Sequence, residues 1–213
     1  MGRNLLLLLG GVLLVLTFLL VAYFILLKIG GEQARTWLES GWQSVRDLLT
    51  DHGPLLFLAI AVLPGFVLPV APLLGFAGIW AEKNGPWLGC AYCSLALFAN
   101  LCWTYWLARG PARGLLKRLL SRSRFRLPET PPKNLIEWAL ILRLTPGVPF
   151  ILTNYGLGLF RMPFASYLTV SLPILAFTAC GYVLAFAGLF GGQWKHVWTG
   201  VSILAVTILF GKF

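Results

Sequence analysis

Arg143-Leu-Thr-Pro146-Gly-Val-Pro149-Phe-Ile-Leu-Thr-Asn154-Tyr155-Gly156-Leu-Gly158-Leu-Phe-Arg161 is almost entirely apolar, yet no straight helix can run through it. Each interior proline removes a helical hydrogen bond and clashes with the preceding turn. In hydrocarbon each backbone group left unpaired costs several kcal/mol, so a broken segment at that depth must face protein or a wet cavity. The segment Pro54–Ala81 has the same character, with Pro54, Pro64, Pro69 and Pro72 among Gly65, Gly75 and Gly78. Pro64–Gly65 and Pro146–Gly147 can be laid on one another. Each is followed by closely spaced glycines (Gly75 and Gly78; Gly156 and Gly158) and then by a proline that opens a continuous apolar run, Pro86 or Pro163. Paired, interrupted hydrophobic segments at corresponding places in two halves are the mark of an inverted-repeat membrane transporter. Two merely kinked spans would give the same spacing.

The rest of the chain has the same solvent. Of 213 residues 58% are hydrophobic and 11% charged, and the mean hydropathy is +0.81, far from the balance of a water-soluble domain. A spanning helix needs about 20 mostly apolar residues, and such runs recur at Leu5–Leu27, Pro54–Ala81, Pro86–Ala108, Pro163–Gly192 and Val197–Gly211. The first reads as a retained anchor rather than a cleaved signal, because no small-residue cleavage pattern precedes Lys28. Between Glu32 and Thr50, Ala34, Trp37, Leu38, Val45, Leu48 and Leu49 fall near helical spacing with Glu32, Arg35, Glu39, Gln43, Arg46 and Asp47 between them. This predicts an amphipathic helix at the membrane interface, or one docked on the protein's own spans, with Trp37, Leu38, Val45 and Leu48 buried and Glu39, Gln43 and Arg46 wet.

A net charge of +10 would suggest nucleic acid for a soluble protein. Here it sets orientation and meets anionic lipid, and no nucleic-acid partner is expected. Arg109, Arg113, Lys117, Arg118, Arg122, Arg124, Arg126 and Lys133 face only Glu129, which places loop 109–134 in the cytoplasm. Charge counting fits four spans plus two re-entrant hairpins, with both termini cytoplasmic, and equally six full spans. Arg143 favours the hairpins: a full span would hold it with no acidic partner, Glu137 being six residues away on another face.

Arg143 is the leading candidate for a binding site, since its planar guanidinium matches phosphate bidentately. The competing reading has it capping carbonyls freed by Pro146 or Pro149. Asn154 and Tyr155 could hold the same headgroup or satisfy the broken backbone, and Arg161 reads as an interfacial, snorkelling side chain. Cys90 and Cys93 form a C-x-x-C, but no second pair or nearby His completes a metal or redox site, and the cysteines read as small apolar residues. His52 and His196 are far apart. No catalytic constellation, metal site or cofactor is expected, and homo-oligomerisation is left open.

Arg143–Arg161, with Leu63-Pro-Gly-Phe-Val-Leu-Pro69, Gly75-Phe-Ala-Gly78 and Tyr105–Arg113, resembles the DedA superfamily, also called the VTT-domain or SNARE-associated Golgi protein family. It is most similar to the branch named for Golgi and other vesicle membrane proteins. The resemblance covers about residues 54–190. It implies an all-α polytopic membrane protein with two inverted re-entrant hairpins packed with about four spanning helices, and a role in moving lipids between leaflets. The implied organisation is an anchor (1–30), an interfacial helix (31–53), a DedA-like domain (54–192) with re-entrant segments 54–83 and 135–160, and a C-terminal span (193–213). A bacterial-type inner or plasma membrane fits this reading. It also implies lipid-headgroup binding by Arg143, Asn154 and Tyr155, and helix-breaking roles for Pro64, Gly65, Pro69, Pro146, Gly147, Pro149, Gly156 and Gly158. Two family features are absent: residues 54–81 contain no acidic residue, and Pro149 stands where a second Arg is common. The resemblance therefore does not carry proton coupling over to this chain.

Overall fold

The computed structural model describes residues 31–33, 36, 37, 39–41, 43, 44, 47, 48, 51–66, 69–121, 132, 134–145, 148 and 150–210; for 117, 119–121 and 151 it describes the backbone alone. The expected anchor 1–30 lies outside the described residues, as do Leu38, Val45, Arg46, Pro146, Gly147 and Pro149. The chain divides into two units, Met1–Leu48 and Leu49–Phe213. The described residues of the first unit are helical and exposed, Trp37 and Leu48 as much as Glu39 and Gln43.

The second unit is helical, with no strand among its described residues. Helix α1 (Gly53–Val62) ends in a 3-10 turn, Leu63–Phe66. Helix α2 (Val70–Asn84) restarts after Pro69, whose extended backbone (ψ 134°) cannot continue a helix. Gly85, at φ 107°, then reverses the chain into α3 (Pro86–Arg109), with Pro86 in its first turn. The φ of Gly85 lies where side chains are strained, which accounts for a glycine at this corner. A short basic helix, α4 (Arg113–Ser121), follows.

The same succession then recurs. Helix α5 (Leu135–Leu144) is opened by Asn134, whose side chain accepts from the backbone N–H groups of Ile136 and Glu137. It closes at Thr145, which is extended at ψ 114°. Helix α6 (Phe150–Leu159) and the long α7 (Phe164–Phe190, opened by Pro163) complete the repeat, and α8 (Trp194–Phe210) packs on α7. Both halves thus run short helix, break, short helix, long helix. Gly156 and Gly158, expected among the helix-breaking residues, instead lie inside α6. At Gly158 the requirement is closeness: a Cβ there would stand 2.8 Å from the Cβ of Ala108, so the glycine lets α6 meet α3.

Helices α3 and α7 are long and apolar enough to cross a membrane. Their outward faces carry large apolar side chains: Leu95 is 62% exposed, Trp106 56% and Leu189 56%. In water such surface would be an aggregation hazard; in a bilayer it is the solvated face. The helix contacts use small residues, as lipid-embedded packing does. At Gly200 of α8, a Cβ would come within 2.4 Å of the Ala185 nitrogen and 2.5 Å of the Gly181 carbonyl oxygen. No side chain fits there without separating α8 from α7.

Candidate functional site: a buried polar network around Arg143

The first break creates the first demand for polar partners. Within a 3-10 turn the donor to the Ala61 carbonyl would come from residue 64, and Pro64 has no N–H. Two side chains of α3 supply it: Asn100 Nδ2 donates to the Ala61 oxygen at 2.8 Å and Trp103 Nε1 at 2.7 Å. The Gly65 carbonyl accepts from the Tyr155 hydroxyl of α6 at 2.9 Å. Gly65 itself lies under Trp103, where an added Cβ would come within 2.3 Å of the ring. The broken backbone of the first half is therefore sealed by α3 and by the second half.

Arg143 lies in the last turn of α5, half-buried. Its Nε donates to Ser171 Oγ of α7 (3.1 Å), Nη1 to Thr153 Oγ1 (2.8 Å) and Nη2 to Asn154 Oδ1 (2.7 Å), both of α6. The guanidinium also lies over the rings of Phe150 and Tyr167, 5.6 and 5.9 Å from their centroids, a cation–π arrangement that supports the charge. Asn154 carries the network onward, donating through Nδ2 to Asn100 Oδ1 (2.9 Å) and Thr104 Oγ1 (3.3 Å). Asn100, Thr104, Thr153, Asn154 and Ser171 are all buried. One chain of hydrogen bonds thus runs from the Ala61 carbonyl in the first half to Arg143 in the second, through α3.

Among the described residues every hydrogen-bond partner of Arg143 is a neutral oxygen, and none is a carboxylate. A guanidinium has five N–H donors. Three are engaged by these partners, which hold the group in place without cancelling its charge. A half-buried cation so arranged has a standing attraction for an anion and donors left to meet one.

Of the sequence-selected residues, the structure brings Arg143 and Asn154 into direct contact, whereas Tyr155 is spent on the Gly65 carbonyl. The capping alternative for Arg143 is not what is seen among the described residues, where its partners are side-chain oxygens rather than backbone carbonyls. Arg161 is exposed, in the turn between α6 and α7 at φ 57°. Cys90 and Cys93 are buried free thiols. Asn100, Thr104, Thr153 and Ser171 were not singled out from the sequence. The available signal was Asn100 and Thr104, four residues apart within an apolar run and so on one helix face.

Residues 68–188 match the VTT domain. The chain therefore belongs to the VTT-domain family, the DedA and SNARE-associated membrane proteins, and its long apolar helices α3 and α7 accord with an integral membrane protein. No curated protein and no solved structure matches it.

Replacing Asn154 with Leu removes the acceptor for Arg143 and the donor to Asn100 together, leaving buried polar groups unpaired. Each such group costs about 1–3 kcal/mol, more when charged. Asn154→Leu should therefore lower the thermal midpoint of the purified protein well below that of Thr178→Val, whose lost hydroxyl bonds only its own helix at Ile174. Equal midpoints would show that the network is not a structural unit.

Proposed function

We propose that this protein moves phosphate-bearing lipids, a phospholipid or a polyprenyl phosphate, between the leaflets of its membrane, with Arg143 meeting the phosphate. The observation that carries the reading is the charge of Arg143: a half-buried cation fixed by Ser171, Thr153 and Asn154, with no carboxylate among them. An ionisable residue at such depth is expensive and marks a substrate or ion path by default. A phosphate would supply the missing negative charge, and a guanidinium can take it bidentately. Membership of the VTT-domain family supports the same reading. The similarity of Arg143–Arg161 to the Golgi vesicle branch bears on kinship within the family.

In this reading the two interrupted segments, 54–83 and 135–160, enter and leave on one side as re-entrant hairpins, and residues 1–30 and 193–213 span. The termini and loop 109–134 then share the cytoplasmic side of a plasma-type membrane, and residues 31–53 lie on the opposite surface. Reporter fusions should place both termini in the cytoplasm; an external terminus would exclude this topology.

The functional test is leaflet exchange of labelled phospholipid and labelled polyprenyl phosphate by the reconstituted protein, expressed per correctly folded molecule. Arg143→Ala should abolish exchange, Arg143→Lys should restore a fraction, since a point charge remains but the fork is lost, and Arg161→Ala should change little. A normal rate in Arg143→Ala would remove this residue from the mechanism. No exchange by the parent protein would favour a membrane scaffold.

A further inference from the structure

The described helices leave an open groove of about 450 Å³ between α5, α7 and α8, with Leu140, Phe177, Val206 and Phe210 exposed along it. Leu140 and Leu144 form one wall, Ile174 and Phe177 the second, and Val206 and Phe210 the third. The remaining lining residues are Pro173 and Thr207. Proline offers no donor, and the Thr207 hydroxyl donates to the Ile203 carbonyl at 2.9 Å, within its own helix. The lining therefore presents no free hydrogen-bonding group, and water would be a poor occupant.

The position of this groove gives it meaning. On α5 Leu140 lies three residues before Arg143, and on α7 Ile174 lies three residues beyond Ser171, which accepts from Arg143 Nε, so each of these lining residues shares a helix face with a member of the network. At about 1.5 Å of rise per residue, Ile174 is about one helical turn from Ser171 along α7. Arg143 is not itself part of the lining, but it is one turn from it along α5, so a cation neighbours an apolar groove. That combination complements an amphiphile with an anionic head and a hydrocarbon tail, and it complements neither a free anion nor a plain hydrocarbon. We infer that the α5–α7–α8 groove binds a hydrocarbon chain of a phosphate-bearing lipid whose headgroup lies at Arg143. The inference rests on the functional reading above and extends it to the lipid's tail.

The test uses the full chain in phospholipid vesicles doped with a phospholipid carrying a mid-chain diazirine, with the attachment sites mapped by mass spectrometry after illumination. Labelling should concentrate on 140–144, 174–177 and 206–210, at least five-fold above the lipid-facing Leu95. Ile174→Trp, which fills the slot, should cut that labelling at least five-fold and leave Leu95 unchanged. Val206→Trp fills it from the opposite wall and serves should the first variant fail to fold. Arg143→Lys should lower labelling by the phospholipid probe more than labelling by a diacylglycerol probe with the same chain, which has no phosphate. Labelling no higher than at Leu95 would overturn the inference, as would a photoreactive residue at position 177 that captures segment 5–27 or a second copy instead of lipid. Leaflet exchange is read in the same vesicles. Exchange without groove labelling overturns the tail site and leaves the transport reading standing; groove labelling without exchange supports the site and overturns transport.

Discussion

A backbone carbonyl buried where water cannot reach must find a donor, and that constraint organises this molecule. Pro64 takes the donor away from Ala61; Asn100 and Trp103 give it back from α3. The turn leaves the Gly65 carbonyl open, and Tyr155 fills it from α6. After α6, the Met162 carbonyl accepts from the Tyr105 hydroxyl at 2.6 Å, and Tyr105 in turn accepts from Arg109. In each case the partner comes from α3 or from the other half of the repeat. The interruptions that would destabilise an isolated segment thus bind the two halves into one unit.

The second half differs from the first in charge. Around the first break all the sealing donors are neutral. At the second, Arg143 brings a permanent positive charge whose partners are hydroxyls and an amide. If its purpose were only to fill hydrogen bonds, a neutral donor would avoid the desolvation of a cation. Helices α6 and α7 converge on α5 to hold this side chain, and an apolar groove runs between α5, α7 and α8 one turn away along the chain. This arrangement gives physical content to a lipid-handling role: fixed charge, spare donors and an adjacent hydrocarbon-lined space.

Much of this architecture was legible in the sequence because hydropathy and proline are strong signals. Pro64, Pro69, Pro86 and Pro163 lie at or beside helix boundaries, and Arg143 stood out as the cation with no nearby acid. Less legible were features that depend on which residues meet across the fold. Asn100 and Ser171 are polar residues within largely apolar runs, and nothing local says that one reaches Ala61 and the other Arg143. Tyr155 is readable from the sequence either as a headgroup contact or as a donor to the broken backbone; successive helical residues point in different directions, and its hydroxyl goes to Gly65, the second of these. In the sequence Gly156 and Gly158 group with the prolines as helix-breaking, whereas a glycine inside a helix can equally serve close packing, as Gly158 does against Ala108.

The central claim is that Arg143 is held by the protein yet keeps its charge for a lipid phosphate. Nitrogen-15 to phosphorus-31 dipolar recoupling by solid-state NMR, on arginine-labelled protein in phospholipid vesicles, reads that contact directly. The account predicts an arginine signal, identified by its loss in Arg143→Lys, that dephases as a guanidinium nitrogen within about 4 Å of phosphorus, the range of a charge-assisted hydrogen bond extended by one P–O bond. Identical dephasing in the parent and in Arg143→Lys would mean that every arginine–phosphate contact is interfacial, and would contradict the account.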